Sequence, residues 1–404
     1  MTELQTVVLL SLLLGLQPIT TDLYLPALPG ITASLGASVA QAQQTLAAML
    51  FAFGVAQLFW GPLSDRFGRK PILLAGLSLY VAAALGCTFA TSMAQLLGWR
   101  VVQGVALGAS VMAGRAIVRD LHDPLAGAKL LSRAFSGLGL LACLSPLVGG
   151  ATVRVLGWRA TLFVLAVAGA ITLAFTWRIF RETLARRNPH ALRPAALLQA
   201  WREVLGHRDF WIFTLLASSS YGGLFTFLAS SSFIFINFYR FSPTEYSLVM
   251  LASATSYLCG TVLCRRLLGR FGLRRTVQAG GMLSCAAGVV MVILLLIGRG
   301  GPMGLLLPFC GFMIAHGIHQ PCGQSGAVGA FPRAAGVASA LSGFVMMSIA
   351  FLTGAVLGML ARDTPWPFAG LVAFWGAMLF VLAFAFVPRS RLVASESAQS
   401  ERAG

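Results

Sequence analysis

Charge is scarce in this sequence, and acidic charge scarcest: 10% of 404 residues are charged, 12 Asp and Glu against 29 Lys and Arg. A soluble domain carries about a quarter charged residues, so the bulk of the chain is not a soluble enzyme or receptor. Paired carboxylates, a Ser/His/Asp constellation and a Gly-rich phosphate cradle are missing, which argues against catalysis and against ATP drive. The seven cysteines (Cys87, Cys143, Cys259, Cys264, Cys285, Cys310, Cys322) are dispersed singly with no C-x-x-C, the pattern of buried free thiols. The N-terminus lacks a basic start and a small-residue cleavage pattern, so the first apolar run is expected to stay in the protein. No cofactor and no metal is implied.

What is present is apolar sequence, 57% hydrophobic residues. A hydrocarbon core of roughly 30 Å takes about 20 helical residues per crossing, and backbone facing lipid must satisfy its own hydrogen bonds. The expected fold is therefore an all-α polytopic membrane protein of twelve helices. The spans are read at 5–28, 43–62, 72–90, 95–118, 131–153 and 160–180, then 210–238, 246–264, 277–297, 303–328, 335–358 and 367–387. These make two six-helix bundles, 1–180 and 210–388, joined by an Arg-rich linker at 181–209 broken by Pro189 and Pro194. The tail, 389–404, reads as disordered.

The net charge of +17 reports topology rather than a nucleic-acid partner. If the spans alternate, 22 of the 29 basic residues fall on the side of both termini and five on the other (Arg154, Arg159, Arg240, Arg299, Arg362). Basic residues accumulate in short cytoplasmic loops, so both termini and the loop of Arg186 and Arg187 are expected inside.

Between the second and third spans lies a charged hinge, Gly61-Pro62-Leu63-Ser64-Asp65-Arg66-Phe67-Gly68-Arg69-Lys70-Pro71. An echo lies 204 positions on, where Arg270-Phe271-Gly272 repeats Arg66-Phe67-Gly68 and Gly280 matches Gly76. The chain is a duplication, with Asp65 replaced by Gly269 and Asp22 aligned with Thr226.

The hinge resembles the signature loop of the major facilitator superfamily. Thr21-Asp22-Leu23-Tyr24-Leu25-Pro26-Ala27-Leu28-Pro29 resembles the first span of the Bcr/CflA drug:proton antiporters, and Arg100-Val101-Val102-Gln103-Gly104 the fourth-span motif. Gly139 and Ser145-Pro146-Leu147-Val148-Gly149-Gly150 resemble the fifth-span motif of exporters. The resemblance implies a monomeric bacterial inner-membrane antiporter and a hinge that latches the inward-closed arrangement. Its latch residues would be Gly61, Asp65, Arg66, Gly68, Arg69 and Asp120, with Arg69 paired to an acid at the foot of span four.

Eleven of the twelve acids lie in loops or at span ends; only Asp22 lies inside an apolar span. A membrane-embedded carboxylate costs several kcal/mol unless paired or protonated, which makes Asp22 the expected proton carrier. Arg100 enters span four at a similar depth and is its expected counter-charge. The expected substrate cavity draws on Tyr24, Tyr221, Phe225, Tyr257, His316, His319 and Gln320; a His316-x-x-His319-x-x-Cys322 metal site is the lesser reading of that stretch. The function expected is proton-coupled export of small, largely apolar organic compounds such as antibiotics. The alternative is a dedicated transporter of one metabolite, sugar or metal chelate on the same fold.

Overall fold

A backbone crossing lipid finds no water to bond, and the residues respond with helix throughout. The structure, a computed structural model, describes residues 2–121, 124–184, 187, 191–331, 334–360 and 364–387. Among the described residues there is no strand. Asp123, Arg186, Arg333, Arg362, Asp363 and the tail lie outside them.

Span 1 is Glu3–Leu35, span 2 Val39–Phe67, span 3 Arg69–Thr88, span 4 Met93–Leu121, span 5 Pro124–Leu156 and span 6 Trp158–Ile179. Span 7 is Arg208–Phe238, span 10 Pro302–Gly329, span 11 Ala335–Met359 and span 12 Trp366–Phe386. Between spans 7 and 10 runs one helical stretch, Pro243–Leu296, of 54 residues. At ~1.5 Å per residue it would measure about 80 Å, far more than one crossing. It is broken at Gly272 (φ 72°, ψ 175°) into span 8 (243–271) and span 9 (273–296). With that break, the described residues hold twelve helices long and apolar enough to cross a membrane.

Gly68, at φ 108° and ψ 159°, breaks the corner between spans 2 and 3 in the same way. Both glycines occupy a region of positive φ and extended ψ that is essentially closed to other residues, and they stand 204 positions apart. The hinge is thus narrower than its composition suggests. The residues from Asp65 to Lys70 are helical except for Gly68, so the hinge charges sit on helix ends rather than in a loop.

Span 4 packs on spans 2 and 3, span 5 on span 1, and span 6 on span 3. In the second half, span 10 packs on spans 7, 8 and 9, and span 7 on span 11. The halves meet along spans 2 and 11 and along spans 5 and 8, pairs that the repeat exchanges. Spans 2 and 4, and likewise spans 8 and 10, close on a glycine: a Cβ on Gly104 would strike the Met49 carbonyl, and one on Gly317 the Tyr257 carbonyl. Small residues let backbones approach this closely.

The linker departs from its expected irregularity. Pro194 sits in the first turn of a helix, Pro194–Leu205, where its missing N–H costs nothing. Val204 is buried, and the Trp211 indole N–H donates to the Leu205 carbonyl at 2.8 Å.

Candidate functional site

At the hinge end, Arg69 is 2% exposed and gathers three side chains. Its guanidinium meets Asp65 at 2.6 Å, Asp120 at 2.8 Å and the Ser64 hydroxyl at 3.1 Å. This ties the corner of spans 2 and 3 to the foot of span 4. Arg66 does not join it; the side chain is exposed and stacks on Phe67 at 5.4 Å. Gly61 faces the Met112 methyl, 3.2 Å from where a Cβ would sit.

Sequence reading missed Glu182. Gly68 offers no side chain to cap span 3, and Glu182 takes that place from across the fold. Its carboxylate accepts the backbone N–H groups of Arg69 at 3.0 Å and Lys70 at 3.1 Å, and those of its neighbours Thr183 and Leu184 at 3.0 Å each. Burial raises the carboxyl's pKa, but these four donors outweigh it and hold the group below its usual range. Nothing local in the sequence signals the role, since the partners are more than 100 positions away.

At mid-membrane, Pro26 and Pro29 withhold backbone donors and span 1 breaks there. Its first helix ends at Asp22, a short 3-10 turn spans Leu25–Ala27, and Leu28–Leu35 completes the crossing. Asp22 is half-buried and accepts a hydrogen bond from the Thr21 hydroxyl at 2.8 Å. Cys143 of span 5, Tyr221 of span 7 and Tyr246 of span 8 lie within range of its charge. The acid therefore faces the seam between the halves.

The expected Asp22–Arg100 pair is not formed in this conformation. Arg100 is fully buried, donates to the Gln103 side chain at 2.8 Å and more weakly to the Thr20 carbonyl at 3.5 Å. Its guanidinium lies over the Tyr24 ring at 4.0 Å, and its Nε has no partner. The depths match, but the faces do not. Two residues along a helix turn about 200°, so the turn that shows Thr20 to Arg100 points Asp22 elsewhere.

Tyr24, expected in the cavity, serves this interior instead, buried and bonded to Thr45 at 2.8 Å. Tyr80 meets the Thr20 hydroxyl at 2.6 Å beside it. Phe225 is likewise core, wedged against Gly354 at 3.0 Å from its Cβ position.

The fifth-span motif lies in the seam. The Ser247 hydroxyl of span 8 donates to the Pro146 carbonyl at 2.7 Å, and a Cβ on Gly150 would collide with Ser247 and Pro243. Gly149 abuts the Leu23 backbone, beside Asp22, while Gly139 has Leu258 3.7 Å from its Cβ position. With Ala40 3.5 Å from the Cβ position of Gly358, the Gly150 and Gly358 contacts bring the halves together at the end away from the hinge.

On span 10 the side chains diverge. His316 Nδ1 lies 2.8 Å from the Ser220 hydroxyl with the Tyr257 ring 5.3 Å away, His319 Nε2 lies 3.3 Å from the Val277 carbonyl, and Cys322 turns to Cys264 at 3.7 Å. The three do not share one ligand position. Gln320 donates to the Met346 sulfur at 3.3 Å. The Tyr221 hydroxyl, His319 Nδ1 and Gln320 Oε1 are buried polar atoms without partners, the kind of group a ligand satisfies.

A profile of the Major Facilitator Superfamily matches residues 10–355. The chain is 30% identical over 373 residues to a chloramphenicol resistance protein of Pseudomonas aeruginosa, covering 90% of this chain and 86% of that protein. It is 28% identical over 365 residues to a bicyclomycin resistance protein homolog of Haemophilus influenzae, covering 89% and 90%. Among solved structures, a D-xylose-proton symporter superposes with a TM-score of 0.78 over 96% of this chain and 99% of that one, at 16% identity. That likeness carries the fold alone.

Proposed function

The chain belongs to the major facilitator superfamily, and from that premise we propose that it exports small, largely apolar organic compounds such as antibiotics in exchange for protons. It works as a monomer in the bacterial cytoplasmic membrane, with the hinge end and both termini inside. Residues 1–180 and 210–388 form its two bundles. The names of its relatives, resistance proteins for chloramphenicol and bicyclomycin, support the substrate class.

The observation that carries the proton coupling is Asp22, the one acid inside an apolar span, set at a break in span 1 and facing the seam. A carboxylate there is neutralised when the seam dries and releases its proton when water or a cation arrives. Arg100, now held over Tyr24, supplies the counter-charge in the alternate state, reached by movement of span 1 at its 3-10 turn. Substrate lies between Asp22 and the unpartnered polar atoms of spans 7 and 10. The Arg69 cluster latches one closed arrangement, and the Ser247–Pro146 contact is what must part when the opposite end opens.

The test is proton-driven uptake of chloramphenicol and a panel of dyes into everted vesicles. Export in the cell appears there as accumulation that collapses with the pH gradient. Accumulation indifferent to that gradient would refute the coupling, and none for any compound would refute the export reading.

A further inference from the structure

Away from the seam, between spans 9 and 10, an open groove of about 630 Å³ is lined by Leu283, Ala287, Val290 and Leu294 on one side and by Leu307 and Gly311 on the other. Steps of three and four residues put the first set on one helix face. The floor is shallow because the helices approach there: a Cβ on Gly311 would lie 3.7 Å from that of Ala287. From Leu283 to Leu294 the groove runs about 16 Å at ~1.5 Å per residue, about half of a ~30 Å hydrocarbon core. It is as long as one leaflet is thick.

Its outer rim is Arg299, exposed just beyond the end of span 9, where Gly298 turns the chain at φ 71°. The Tyr239 hydroxyl donates to the carbonyl of the adjacent Gly300. That bond ties the end of span 7 to the loop that carries Arg299, and the residue after Tyr239 is the exposed Arg240. Neither arginine has an ion pair among the described residues. Within a bilayer an apolar groove selects little, since every lipid tail is as apolar as leucine. Selection falls to the headgroup, and here the rim offers the unpaired Arg299, with Arg240 on the chain segment bonded to its loop.

We propose that this groove binds an anionic phospholipid of the leaflet away from the hinge, with one acyl chain between spans 9 and 10 and the phosphate on Arg299 and Arg240. The site is independent of the export reading.

The experiment is native mass spectrometry of the purified full-length protein with equal phosphatidylglycerol and phosphatidylethanolamine of identical chains. The wild type retains phosphatidylglycerol preferentially. Arg299→Gln reduces that preference about fivefold, the weight of one arginine at a membrane surface, while Arg299→Lys keeps it. Gly311→Leu projects into the groove from a position where a Cβ meets only ordinary contacts, and lowers retention of both lipids. Soluble glycerol phosphate, which has no chain, does not displace the lipid. Equal retention of the two lipids, an unchanged preference in Arg299→Gln, or displacement by glycerol phosphate would overturn the site. If Arg299→Gln does not fold, loss of retention in Gly311→Leu supports the site and full retention there refutes it.

Discussion

Replacing Asp22 with asparagine keeps its volume and an acceptor for the Thr21 hydroxyl while fixing the side chain neutral. The variant should insert and melt like the wild type, bind neutral compounds and fail to move them uphill; persistent proton-driven accumulation in everted vesicles would exclude Asp22 as carrier. The position of Asp22 within span 1 was legible because an acid in an apolar span stands out. The azimuth of Arg100 was not, since sequence gives depth along a helix but fixes rotation only through packing. Glu182 was illegible for another reason, its partners being distant in the chain. Its folded pKa is depressed, so its contribution is full above the ordinary carboxylate range and is lost as pH falls through the lowered value. Glu182→Ala should cost about 1 kcal/mol, as lost helix caps do. Its stability deficit, measured by thermal melting against pH, should vanish towards acid. A deficit constant with pH would mean that packing, not charge, is what Glu182 supplies.

Among the elements, the two hinges separate backbone strain from contact. Gly272 has open space where a Cβ would go, whereas a Cβ on Gly68 would press on Glu182. Gly272→Ala therefore isolates the backbone term and should destabilise by about 1–3 kcal/mol; a melt indistinguishable from wild type would show that the corner relaxes. The repeat made this pair legible, because Arg-Phe-Gly recurs at the same offset. The seam was less so. Gly150 was readable as an exporter-like motif, but its opposition to Ser247 and Pro243 emerges only when spans 5 and 8 meet. Gly150→Val should hold those spans apart at the end away from the hinge. A cysteine at 247 should then react faster with an impermeant maleimide from that side, and transport should drop; unchanged labelling would mean this contact is not part of closure.

For the whole molecule, hydropathy alone made twelve crossings legible, even though two of them are continuous helix apart from Gly272. The linker helix was hidden because Pro194 reads as a breaker when it is in fact a first-turn residue. Orientation rests on a separate argument, the asymmetry of 22 basic residues against five. Translocating one of the heavily basic loops would drag several strongly hydrated cations through hydrocarbon, whereas the opposite loops carry few. Arg187 is the sharpest reporter: it is exposed, it lies between the bundles, and it belongs to the linker on which the two halves depend for their relative direction. In a cysteine-free background, Arg187→Cys should react with an impermeant maleimide in everted vesicles and stay unlabelled in intact cells. Labelling from outside would invert every span, setting the Arg69 cluster on the outer face and the Ser247–Pro146 contact on the inner one. Export coupled to inward proton flow would then require the opposite order of opening.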